Sequence, residues 1–225
     1  MKSESTQAIV LRRTDYGEAD RIIQLCTPLG KRVAIAKGVR RPKSKLAGGI
    51  ELLSESNIVL RQGRGNMATL TQARMAVFYK NILNSYDRLQ FSYEALRHVA
   101  KASEMVDEPD WFDILHQILS GLDDESINLA LIKAWFYLRY AKLLGDELSL
   151  WRDVNGEKMI QGSRYSYDVS EKGFRASGEG EIGEQHIKLL RVLSQRPLAT
   201  MKNIGGMQPF IATVSHVAMR HSSIY

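Results

Sequence analysis

Residues 31–45 read KRVAIAKGVRRPKSK, so Lys31, Arg32, Lys37, Arg40, Arg41, Lys43 and Lys45 place seven cations in fifteen residues with no acid among them. The chemistry of such a run is binding, not bond-making. Cations on a strand and its following loop can meet a phosphate backbone at several points, and each neutralised phosphate releases counterions, so affinity falls steeply with salt. Arg12, Arg13, Arg21, Arg61, Arg64 and Arg74 fall on or beside neighbouring predicted strands. That agreement favours a nucleic-acid surface over a solvated loop without a partner. The candidate contacts are Arg12, Arg13, Arg21, Lys31, Arg32, Lys37, Arg40, Arg41, Lys43, Lys45 and Arg64. Aromatic platforms are few on these strands: Tyr16, read as a turn residue packed on its own hairpin, with Phe78 and Tyr79 at the exit. Backbone-dominated binding with little base preference is expected, because phosphate contacts carry no sequence information.

Catalytic patterns are weaker. His98, His116, His186, His216 and His221 lack metal-ligand spacing, and there is no P-loop, dinucleotide glycine fingerprint or nucleophile elbow. Asp15, Glu18 and Asp20 could form a nuclease metal cluster, but turn acids paired with Arg12, Arg13 or Arg21 are the simpler reading. Gly48 and Gly49 read as loop flexibility. Cys26, alone in the chain, reads as a buried small side chain and can form neither an internal disulfide nor a cysteine zinc site. No catalytic residue, metal or cofactor is expected.

The elements that must hold the cations are short strands. Residues 7–13, 20–27, 31–37, 55–61 and 66–77 are rich in branched apolar residues and separated by turn signals such as TDYG, PLG and QGRG. Five strands within about 75 residues suit a small closed barrel, with the OB barrel leading and an SH3-like barrel also compatible. Beyond residue 80 the period becomes helical. One amphipathic helix carries Phe91 to Val106, and a second is capped by Asp110 and ended by Gly121. A third starts near Asp124 and runs to Leu144, apolar around most of its circumference and so the expected centre of a bundle. Residues 146–180 are mixed with a small hairpin, residues 184–195 are helical, and short helices follow Pro197. The third helix and its neighbours could also leave an apolar groove for a partner peptide.

Charge follows the same division. Of 225 residues, 31 are Lys or Arg and 25 are Asp or Glu, a formal charge of +6. Residues 1–80 hold 15 cations against 6 acids, whereas residues 81–225 hold 16 against 19. The whole basic excess therefore lies in the predicted barrel, a pointer to nucleic acid. The opening MKSESTQ lacks a secretion signal's apolar stretch, and there is no run of about 18 apolar residues. A soluble cytoplasmic, nucleoid-associated protein without membrane contact is expected.

Three segments carry a family resemblance: YGEADRII from Tyr16, TPLGK from Thr27, and AKGVRRPKS from Ala36. Gly63-Arg64-Gly65, Leu70-Thr71-Gln72-Ala73 and Ser170-Glu171-Lys172-Gly173-Phe174 fit as well. Together they resemble the bacterial RecO recombination-mediator family over nearly the whole chain. The resemblance implies an α+β architecture: a five-stranded OB-fold barrel over residues 1–79, then an α-helical domain over 80–225 with a small irregular insertion at 146–180. It implies a non-enzymatic role: binding single- and double-stranded DNA, annealing complementary strands, and assisting RecA onto DNA coated by single-strand-binding protein, together with RecR. Lys37, Arg40, Arg41 and Lys43 occupy the family's basic motif. Many members carry a four-cysteine zinc site in the helical domain, and with no cysteine after Cys26 this chain departs from that pattern. A metal-dependent nuclease and an RNA-binding OB-fold protein are the alternatives.

Overall fold

A computed structural model describes residues 3–63 and 67–222, apart from the side chain of Asn203. Its contacts gather into two compact units, Met1–Asp123 and Asp124–Tyr225.

The first unit is built on β1 (Ser3–Tyr16), β2 (Asp20–Thr27), β3 (Gly30–Ala36), β4 (Ser54–Arg61) and β5 (Ala68–Phe78). They close in the order β1-β2-β3-β5-β4, with a parallel β3–β5 seam at Ala34↔Ala68 and Ile35↔Thr69. This is a five-stranded OB barrel. The long first strand serves two neighbours, pairing with β4 over its first half and β2 over its second. A register shift between Val10 and Arg12 lets it do so. Such a shift bends the strand and changes which face its side chains take. Val10 therefore points into the barrel core while Leu11 is buried outside that cluster.

Ala8, Ile23, Leu25, Ala34, Ala36, Ile58, Leu60 and Leu70 alternate along the strands to fill the interior. Three alanines suit a barrel this narrow. Gly49, read from sequence as loop flexibility, is instead a packing residue. A Cβ there would lie 2.4 Å from the Ala73 backbone carbon, so the short 3-10 turn Ala47–Gly49 can approach β5 only with glycine.

Outside the barrel lie α1 (Tyr86–Met105) and α2 (Asp110–Asp123), which pack on its first strands. The compact unit therefore extends past the strand-to-helix change at residue 79. Gly121 does not end α2 as its sequence position suggested; it is buried inside the last turn. Arg88, itself buried, donates from Nη1 to the Gly121 and Leu122 carbonyls at 3.3 and 2.9 Å. A cation on those terminal carbonyls completes the helix where a left-handed glycine was expected.

In the second unit, α3 (Leu129–Leu143) is capped by Asn128, whose side chain accepts from the Ala130 N–H at 2.8 Å. Its start lies after Asp124 and Glu125 because Asn128 is the residue that satisfies the first-turn donors. Nine of its fifteen residues are buried, and α4 (Glu184–Gln195) and α5 (Gln208–Ser222) pack on it. The hairpin of β6 (Tyr165–Asp168) and β7 (Gly173–Ala176) belongs to the intervening segment. No helix among the described residues is long and apolar enough to cross a membrane.

Candidate nucleic-acid interface

After β3 ends at Ala36, the chain turns at Gly38, whose φ of +63° favours glycine. The Gly38 N–H donates to Asp20 Oδ1 at 2.6 Å, and the Arg40 N–H to the Ala19 carbonyl at 2.9 Å. Val39, only 3% exposed, plugs the barrel core between these two bonds. Arg40 reaches the β1–β2 turn, with Nη1 3.4 Å from the Gly17 carbonyl and Nε 3.5 Å from Asp15 Oδ2. Two further turns follow, closed by Arg41 N–H to Gly38 O and Ser44 N–H to Arg41 O. The loop backbone is thus held at several points.

Lys37, Arg41, Lys43 and Lys45 stand exposed on this loop. Among the described residues, no carboxylate lies within ion-pair distance of any of them. Fixed cations on an ordered backbone form a cationic surface that need not be organised on contact with a polyanion.

The other candidate cations are placed differently. Arg32 pairs with Leu25 in register and so lies on the core-facing side at one barrel mouth, where it makes a two-pronged contact with Glu4 at 3.0 and 3.3 Å. Arg13, opposite Ile23, takes the corresponding place near the other mouth, 2.8 Å from Glu51 and 3.3 Å from the Ile50 carbonyl. Arg21 pairs with Asp15 at 2.8 Å, and Lys31 with Glu104 at 3.5 Å. Lys31 and Arg32 begin β3, six and five residues before Lys37, so they lie about 15–20 Å from it along the strand. The basic run is therefore two groups, not one continuous track. Strand alternation turned Arg32 inward, and acids distant in sequence engaged the start of β3. Arg12 is exposed beside α1. Arg64 lies outside the described residues.

The three acids of the nuclease alternative do not assemble. The Arg21 guanidinium, hydrogen-bonded to Asp15, holds that carboxyl below its usual range, with Arg40 adding to the effect. Asp20 is engaged by the Gly38 amide. Among the described residues no three His, Cys, Asp or Glu side chains gather as a possible metal site. Tyr16, at the hairpin tip, is 54% exposed.

A groove of about 410 Å³ lies between α1 and the barrel, lined in part by Arg12, Gln24, Tyr93, Arg97 and Lys101. The helical residues of this groove escaped sequence reasoning, which read α1 for its apolar stripe. Their signal was available as Tyr93, Arg97 and Lys101 at four-residue spacings on its polar side.

Residues 1–79 match the model of the Recombination protein O N-terminal domain, and residues 99–217 that of its C-terminal domain. The chain belongs to the RecO family. It is 38% identical over 102 residues to the DNA repair protein RecO of Roseiflexus sp., covering 45% of this chain and 33% of that one. To that of Heliobacterium modesticaldum it is 37% identical over 161 residues, covering 68% and 56%. To that of Syntrophomonas wolfei it is 25% identical over 208 residues, covering 88% and 82%. The first two alignments thus span a third and a little over half of those relatives' lengths.

The zinc site that many RecO proteins carry does not fit this chain. Its single cysteine, Cys26, is in β2 and only 2% exposed, and burial pushes its thiol up to about 12. The segment around the β6–β7 hairpin is held by other means. Lys172 Nζ lies 2.5 Å from Asp146, Arg175 is 2.8 Å from Asp168, and the Val154 N–H donates to the Phe174 carbonyl at 2.8 Å. Phe174 is fully buried beside them.

Proposed function

We propose that this protein is a non-enzymatic recombination mediator in DNA repair that binds single- and double-stranded DNA through the loop after β3 and anneals complementary strands. In this reading Lys37, Arg41, Lys43 and Lys45 meet the phosphates. Arg40 and Asp20 hold the loop, while Arg13, Arg21, Lys31 and Arg32 serve the barrel. The observation that carries the reading is the set of four exposed cations, free of carboxylate partners among the described residues, on a loop held by Gly38–Asp20 and Arg40–Ala19. Relatives that are DNA repair proteins support it.

The mechanism is electrostatic. Two complementary strands repel through their phosphates, and a fixed cationic surface lowers that cost while leaving base edges free to pair. Assistance to RecA on DNA coated by single-strand-binding protein, in partnership with RecR, is the remainder of the proposed role.

Replacing Lys37, Arg41 and Lys43 together by Ala tests the site. Binding to all DNA sequences should weaken, the slope of log affinity against log salt should flatten by up to about two to three units, and annealing of coated complementary strands should slow. A triple variant that binds oligonucleotides as tightly as the parent at moderate salt overturns the assignment. Competition between DNA and RNA of one sequence separates the RNA-binding alternative.

A further inference from the structure

Tyr86 and Tyr93 stand on α1 at 76% and 46% exposure, so neither ring is committed to the core. Seven residues apart, they lie on one side of the helix about 10.5 Å apart along its axis. A cleft of about 340 Å³ runs along α1 from Tyr86 to Arg97. It shares Tyr93 and Arg97 with the 410 Å³ groove against the barrel, so the two adjoin as a trough along α1. Its far half adds Lys101 and, from β1, Arg12.

The charge of this trough is positive. Arg12, Arg97 and Lys101 are exposed, and none has a carboxylate within ion-pair distance among the described residues. Two acids also line it, Glu94, 3.7 Å from His98, and Glu104, 3.5 Å from Lys31, which leaves the three cations in excess. Leu11, Leu52 and Leu96 give the floor an apolar lining. Exposed rings in series, flanked by cations over an apolar floor, suit a ligand that alternates flat aromatic groups with anions. That is single-stranded nucleic acid.

We infer that the trough between α1 and the barrel binds a short run of single-stranded DNA, its bases stacked on Tyr86 and Tyr93 and its phosphates met by Arg12, Arg97 and Lys101. The inference rests on the nucleic-acid reading above for the identity of the occupant. Stacking tolerates any base, and a duplex, whose bases are already stacked inside, cannot use the rings. The loop after β3 would then grip phosphates of either DNA form, while the trough selects unpaired strands. An acidic peptide would use the three cations but leave both rings without a role.

The test compares the full chain with Tyr86→Ala/Tyr93→Ala and with Tyr86→Phe/Tyr93→Phe, titrating a labelled oligo-dT and a hairpin duplex. The alanine pair should bind oligo-dT about tenfold or more weakly with an unchanged salt slope and the duplex as before. The phenylalanine pair, which keeps both rings, should bind like the parent. An oligonucleotide carrying 5-iodouracil should photocross-link to Tyr86 or Tyr93. If the alanine pair binds oligo-dT like the parent, or loses both DNA forms equally, the inference falls. The loop reading then stands or falls separately, on the triple variant of Lys37, Arg41 and Lys43. An acidic peptide whose binding the alanine pair abolishes while oligo-dT binding persists also overturns it.

Discussion

The Asp20 carboxylate accepts the Gly38 N–H at 2.6 Å, joining the start of β2 to the loop that leaves β3. An acid beside a cationic surface weakens that surface electrostatically, so its presence there has a structural reason. It satisfies a backbone donor at a left-handed turn and sets the direction in which Lys37 and Arg41 emerge. Asp20→Ala should speed amide hydrogen exchange at Gly38 and Arg40 and lower stability by about 1–2 kcal/mol in urea unfolding. Asp20→Asn, which keeps an acceptor oxygen, should recover most of both. Unchanged exchange in the alanine variant would show that the bond does not hold the loop.

Arg32 and Glu4 illustrate how position in a barrel reassigns a cation. Both sit on core-facing positions at one mouth, about one-third exposed, with a two-pronged geometry. Arg32→Ala should cost roughly 1 kcal/mol of stability, a modest value because water screens the pair. Oligonucleotide affinity and its salt slope should stay near the parent's. The reversed pair Arg32→Glu/Glu4→Arg should restore part of the stability lost in either single reversal. A salt slope that flattens by a full unit in Arg32→Ala would return Arg32 to the interface.

His98 should give the fold a pH dependence. Burial holds its imidazole below the usual histidine range; Arg97 and Lys101 push the same way, and Glu94 opposes them. A histidine depressed in the folded state binds fewer protons there than when unfolded, so the unfolded form gains as pH falls below about 6.5. Stability should hold above that pH and decline towards pH 5.5. His98→Gln should make the decline shallower, and urea midpoints at pH 7.5, 6.5 and 5.5 measure it. His186, also depressed by burial, should account for part of the remaining slope.

Much of this architecture was legible in the order of residues. Five strands, their turns, the three main helices after residue 80 and the hairpin near residue 170 follow from apolar periodicity and glycine or proline breaks. Those signals are local, acting within a few residues. The concentration of cations in the first third of the chain is likewise a property of composition. Which cations are free is not. Arg32 and Glu4 are 28 positions apart, Arg13 and Glu51 38 apart, and only barrel closure brings each pair together. The same holds for Arg88, whose guanidinium ends α2 from 33 residues away, and for the trough that sets Arg12 beside Tyr93 and Arg97. Linear order determined the elements and their overall charge, because backbone preference and hydrophobic period are short-range. Tertiary packing alone decided which side chains are spent on the barrel and which remain for a partner, because a charge engages whatever closure brings within a few ångströms.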